Sequence, residues 1–251
     1  MQFNSHATNQ DIVSEINDIC NSDANSYPIA SKTRRVNQAL DRFFTLAFSV
    51  NKRGSFDDLN QTTAPLESIN LVSGTEKYAL DTFTSEVIAT LRVEILDSNS
   101  NGLTLERLDR DSVQGVSLPQ FNSVGGTPQY WDKLGKYIYL YPKPNYNKTS
   151  GLSLYIQRNK SAFVTTDTTK VAGIPTIFHP YLCRYASLPY LIEFQKPQKN
   201  DVAAQVRLDE EAIIDYFNHL ENFHGRFEPS DNSGGGARSG FIGNGGSDSN
   251  E

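Results

Sequence analysis

Residues 126–145 read GTPQYWDKLGKYIYLYPKPN, with a ring at every other position from Tyr137 to Tyr141 and two prolines closing the run. Alternation of this kind is the period of a β-strand, whose successive side chains point to opposite faces. Tyr137, Tyr139 and Tyr141 therefore share one face, while Ile138 and Leu140 share the other. Pro142 and Pro144 stop the strand, because neither offers a backbone N–H to a neighbour. The next alternating run, GLSLYIQRN, sets Leu152, Leu154 and Ile156 on one side and Tyr155 on the other. Joined across PKPNYNKTS, the two runs are expected to pair as a hairpin with one aliphatic and one tyrosine-rich face. Such rings suit a sugar or single-strand stacking platform, and Lys133, Lys136 and Lys143 are at hand for a charged backbone. They also suit protein contacts, where tyrosine gives large area at small entropic cost. We read Tyr137, Tyr139 and Tyr141 as interface residues or as the core of a second face.

Moving outward, the period of two extends back to Pro65. SINLVSGTEKYAL reads as two short strands about Ser73-Gly74, and IATLRVEIL with LTLERL as a second pair. Between that second pair lies DSNSNG, residues 97–102, which matches the first half of a calcium loop at Asp97, Asn99, Asn101 and Gly102. The twelfth position, where a bidentate glutamate belongs, is Leu108, and Glu106 and Asp109 fall out of register. Asn101-Gly102 is a strong hairpin-turn signal, so we read a turn. Residues 65–172 thus form a domain of short antiparallel strands.

Helical periodicity holds on both sides of that insertion. TNQDIVSEINDIC carries Ile12, Ile16 and Ile19 as a one-sided stripe, with Thr8 and Asp11 spaced as a capping box. After SDANSYP, the segment IASKTRRVNQALDRFFTLAFSV places Val36, Leu40, Phe43, Ala47 and Val50 on one face, and Gly54 ends it. Beyond AGIP, Phe178, Leu182, Tyr185 and Leu188 fall at helical spacing. Pro180 fits a first turn there, whereas Pro189 sits deep enough to kink or split the helix. Asp201 is the expected N-cap of a last helix that carries Val206, Ile213, Phe217 and Leu220 on one face and stops near Gly225. The fold class is α+β: terminal helices of residues 1–64 and 173–228 packed as a bundle around the β insertion. Residues 229–251, a Gly/Ser-rich stretch that cannot build a core, form a flexible C-terminal arm with Arg238, Phe241 and Ile242 as its anchors.

The residues give little support to catalysis. His219 and His224 are five apart on one helix, His6 and His179 lack a partner at ligand spacing, and no HExxH pattern occurs. Neither cysteine, Cys20 or Cys183, has a CxxC neighbour, and each reads as a buried reduced thiol. There is no GxSxG elbow, and Gly125-Gly126 lacks the lysine of a phosphate loop. The acidic run at 209–211 reads as a solvated helix face, so no catalytic residue, metal or cofactor is expected. A net charge of −6 argues against a dedicated nucleic-acid binder. The first residues have neither the basic nor the apolar region of a signal peptide, no stretch is long and apolar enough to span a membrane, and the protein is expected in a reducing compartment.

The order of these elements resembles the tail adaptor proteins of tailed bacteriophages, also called head-completion or head-to-tail connector proteins. The resemblance runs over about residues 28–228, through YPIASKTRRVNQALDRFF, INLVSGTEKYAL, GTPQYWDKLGKYIYLYPKPN and IPTIFHPYLCRYASLPYLIEF with its following charged helix. It implies a structural hairpin at 126–145 and an unbroken helix where Pro189 stands. It also implies a ring of twelve subunits below the portal at the head–tail junction of the virion, assembled in the host cytoplasm. Such a ring extends the DNA channel without reading sequence, offers a platform for tail or nozzle proteins, and sends a C-terminal arm to the portal. Competing readings are a tail terminator or stopper, a cell-wall hydrolase using acidic residues of the β domain, and a carbohydrate-binding module using the three tyrosines.

Overall fold

The computed structural model describes residues 1–5, 11–50, 56–83, 86–108 and 122–224. Two helices come first, α1 (Ile12–Cys20) and α2 (Ile29–Val50). Eight strands follow: β1 (Leu66–Leu71), β2 (Lys77–Ala79), β3 (Val87–Leu96), β4 (Gly102–Thr104), β5 (Glu106–Arg107), β6 (Tyr130–Leu134), β7 (Tyr137–Tyr141) and β8 (Lys148–Arg158). A 3-10 turn, Thr176–Phe178, leads into α3 (His179–Glu193), and α4 (Lys199–His224) closes the described chain. The fold is mixed α+β.

The helices share one apolar core. α2 contributes Val36, Leu40, Phe43 and Ala47, the stripe expected from its spacing, with Val50 packed at the margin. α3 lies against α1, α2 and α4 and buries Tyr181, Leu182, Cys183, Ala186, Tyr190 and Leu191. A helix covered on several sides must be apolar nearly all round, which is why α3 shows little one-sidedness in sequence. Pro180 stands in its first turn, as expected. Pro189 does not split it: the helix continues to Glu193. Only one turn lies beyond the proline, so the missing N–H costs a single bond to the carbonyl four residues back.

Two helix starts differ from expectation. The N-cap of α1 is Asp11 itself, whose carboxylate accepts from the Ser14 backbone N–H at 2.8 Å and from the Ser14 hydroxyl at 3.1 Å. Thr8, the other half of the expected capping box, lies outside the described residues. Asp11 holds the position because it directly precedes the first apolar helical residue, Ile12. Asp201 is not the N-cap of α4, which begins two residues earlier at Lys199. It sits in the first turn, where its charge faces the positive end of the helix dipole.

The strands form two four-stranded sheets, ordered β1-β8-β3-β4 and β2-β7-β6-β5. The expected hairpin between residues 137–141 and 151–158 is absent. β7 pairs instead with β6 and β2, and β8 with β1 and β3. Each is an inner strand with both edges occupied, so neither has an edge left for the other. Their aliphatic faces still meet, across the space between the sheets. Ile138 and Leu140 enter the same buried cluster as Leu152, Leu154 and Ile156, together with Val93, Ile95 and Trp131. Fully burying each such side chain contributes roughly 1.5–3 kcal/mol.

The pair expected about Ser73-Gly74 is likewise divided, with β1 at the edge of one sheet and β2 at the edge of the other. The β3–β4 hairpin forms, but the run LTLERL is divided, its first residues pairing with β3 and Glu106–Arg107 passing to the other sheet as β5. The hairpin turn spans Asp97–Asn101, one residue ahead of the Asn-Gly signal, and the left-handed residue is Ser100 at φ 71°. Asp97 accepts from the Asn101 backbone at 2.8 Å and from the Asn101 amide at 2.9 Å, which occupies the carboxylate within the turn. One pairing departs from the antiparallel rule: β5 runs parallel to β6.

Candidate assembly surfaces

Two chain crossings connect the helical core with the sheets, residues 56–65 and 159–174, and they are stitched to each other. Arg158, 3 % exposed, pairs with the Asp57 carboxylate and donates to the Thr63 carbonyl at 2.8 Å and hydroxyl at 3.2 Å. Asp58, equally buried, accepts from the Asn60 backbone at 2.8 Å and from the Ser161 backbone at 2.6 Å. The Leu59 N–H donates to the Gly173 carbonyl at 3.0 Å, and a Cβ on Gly173 would overlap the Asp58 carboxylate. Asn37 of α2 exchanges two bonds with the Phe163 backbone, at 2.9 and 2.8 Å. Buried polar groups with full complements of partners specify a single arrangement, so this junction fixes how the sheets sit on the helices. None of Asp57, Asp58 or Arg158 stands out in the sequence, because the partners lie about a hundred positions apart and carry no local motif.

α4 is held on its inner side by Val206, Ile213 and Phe217. Its two flanks are pinned by charge. Glu210 receives a bidentate pair from Arg42 of α2, both bonds at 2.8 Å, and Asp209 receives Arg184 of α3 at 2.6 Å. The Arg42 guanidinium holds the Glu210 carboxyl below its ordinary value of 4.5. That contribution is present above the unfolded value and is lost as pH falls through the lower folded one. The outer face is left with Asp201, Ala204, Leu208, Glu211, Ala212, Asp215 and His219, with the exposed Arg207 at its edge, and Leu208 is 56 % exposed. Their spacing of three and four residues was available in the sequence, but becomes meaningful only once the opposite stripe is known to be buried.

The tyrosine ladder lies on the outer face of the second sheet. Tyr137 and Tyr139 are half-buried and Tyr141 is buried. The Lys77 ammonium stands 3.8 Å from the centre of the Tyr137 ring, a cation–π contact. The three rings therefore do not make an open row of stacking faces. Arg238, Phe241 and Ile242 lie outside the described residues, as do Asp109, Gly225 and the whole stretch 229–251.

Groups with chemical potential are tied into structure. His179 is buried, donates its Nε2–H to the Ile174 carbonyl at 3.2 Å, and accepts at Nδ1 from the Met1 amine at 2.5 Å; burial lowers its pKa. His219 is exposed on α4. Both cysteines are buried and free, and burial pushes the Cys183 thiol up to about 12. A cavity of about 410 Å³ opens between Leu80, Phe83, Val87, Lys133 and Lys136. Its two lysines are committed, Lys136 to Asp81 at 2.6 Å and Lys133 to the Ile88 carbonyl at 3.2 Å. Among the described residues no group of three or more His, Cys, Asp or Glu is placed to hold a metal ion. No helix among them is long and apolar enough to cross a membrane.

Against known families, the model described as SU10 adaptor protein matches residues 7–224, which span both cores and end with α4. The chain belongs to the SU10 adaptor protein family. Membership makes the chain a bacteriophage structural protein of adaptor type and a component of the virion. No curated protein matches the adaptor.

Proposed function

We propose that this protein forms a ring at the head–tail junction, joins the phage portal to the tail, and continues the channel through which DNA passes. The supporting observation is that one adaptor-family match runs from before α1 to the end of α4, through helices, β insertion and helices in that order. In this reading the two cores are two domains, a split helical one toward which the portal docks and a β one inserted at 65–172. Tyr137 and Tyr139 supply contact area on the outer sheet, while Tyr141 supports them from within the chain. The mild net acidity lets phosphates pass, since a basic lining would bind them through counterion release.

Residues 229–251 act as an arm that orders on the portal through Arg238, Phe241 and Ile242. An arm of this composition adds contact without a preformed site, and copies around a ring share the entropic cost through avidity. The test is co-sedimentation with purified portal rings. The full chain is expected to sediment with the portal. A chain ending at residue 228 keeps its circular dichroism spectrum and melting temperature but binds about ten-fold or more weakly. Equal binding by the shortened chain removes the arm from the account, and no binding by the full chain removes the portal.

A further inference from the structure

Resting on the ring reading above, we propose which two surfaces of neighbouring copies meet: the outer face of α4 on one copy seats in the groove beside the N-terminal half of α2 on the next. The groove has a volume of about 570 Å³ and is lined by Ala30, Thr33, Arg34, Asn37, Gln38 and Val164. Val164 is 56 % exposed at its wall. Arg34 is exposed and makes no ion pair among the described residues, whereas Asp41 at the far end is already neutralised by Lys160. Arg35 beside it is bonded to the neutral Gln38 at 3.0 Å. The free charge of the groove is therefore positive.

The α4 face is its complement. Leu208 projects between Ala204 and Ala212, one helical turn away on either side, so the backbone can approach a partner closely with one apolar knob in the middle. Asp201, Glu211 and Asp215 surround that knob and outnumber the one exposed cation at its edge, Arg207. The other acids of this stretch, Asp209 and Glu210, are consumed by Arg184 and Arg42 within the chain. An apolar centre with a charged rim, facing a groove with an apolar wall and an opposite charge, is the anatomy of a specific protein contact.

Geometry makes the contact head-to-tail. α2 turns Val36, Leu40, Phe43 and Ala47 toward the shared core and Arg42 toward α4, whereas Ala30, Arg34, Asn37 and Asp41 lie on a different flank of the same helix. The groove and the outer face of α4 are thus distinct patches, unable to satisfy each other within one chain. Distinct complementary patches generate a heterologous interface, which closes into a ring when the rotation permits.

Charge reversal tests this. Two variants are made, Arg34→Glu and the pair Glu211→Arg with Asp215→Arg, and self-association is followed by light scattering against concentration. Each variant alone is expected to assemble about ten-fold or more weakly than the wild type, with unchanged circular dichroism. An equimolar mixture is expected to recover assembly, because each copy then offers its neighbour a surface of opposite sign and the two variants alternate. Variants that assemble like the wild type, or a mixture no better than its parts, overturn this interface while leaving the ring reading intact. A wild type that stays monomeric throughout, alone and on portal rings, overturns both.

Discussion

Replacing Phe43 by alanine lowers the free energy of unfolding by about 4 kcal/mol, the range for emptying a buried aromatic site. The ring is fully buried and touches four others, Phe44, Phe56, Phe178 and Phe217, at centroid distances of 6.0, 6.0, 5.5 and 5.8 Å. Those partners come from α2 itself, the first crossing toward the sheets, the 3-10 turn before α3, and α4. The cavity therefore opens where all these segments converge, and a site fixed from so many directions relaxes little into the space. Phe43→Leu keeps most of the volume and is expected to cost about 1 kcal/mol. Urea unfolding followed by circular dichroism reads both. A loss under about 1.5 kcal/mol for Phe43→Ala would show that the hub collapses and that the helices do not depend on it.

Arg158→Ala is the second large effect, a loss of about 3 kcal/mol. The guanidinium is nearly inaccessible to water, so removing it leaves the Thr63 carbonyl without its donor and Asp57 without its countercharge. Breaking a buried pair costs about 3–5 kcal/mol; the lower end applies because the Asp57 side chain is 26 % exposed and water compensates part of its charge. Arg158→Lys recovers only part, since one ammonium cannot serve Asp57 and both Thr63 oxygens with the fixed fork of an arginine. Trp131 is the sole tryptophan and is buried between the sheets, so its fluorescence follows this end of the molecule. If the Arg158→Ala protein unfolds at the wild-type urea midpoint by that signal, the junction does not hold the sheets to the helices.

Where a segment's partner is nearby or its period is long, the sequence is a good guide. α2 buries the stripe that its spacing marks, while its expected stop at Gly54 lies outside the described residues, and Asp97–Asn101 forms its turn from its own side chains. Strand partners were less legible. β7 and β8 alternate equally well and adjoin in sequence, yet alternation states which face a residue takes and says nothing of which edge accepts it. The inner faces of Ile138, Leu140, Leu152, Leu154 and Ile156 were thus correct while the hairpin was not. The junction was invisible for a related reason: Arg158 finds Asp57 and Thr63, and Asp58 finds Ser161, only after both cores have folded. As for the surfaces, the tyrosines drew attention by their spacing, but Tyr141 is buried and Lys77 lies over Tyr137. The acidic face of α4 has a plainer signature, and what singles it out is that Arg42 and Arg184 neutralise its neighbours while Glu211 and Asp215 make no ion pair among the described residues.

The central claim, that this adaptor works by fitting against its own copies and the portal, is tested most directly by native mass spectrometry of the protein mixed with purified portal rings. A discrete complex carrying one adaptor chain for each portal subunit is the predicted result. Portal rings that emerge with no bound adaptor, at concentrations where both proteins are folded, would contradict it.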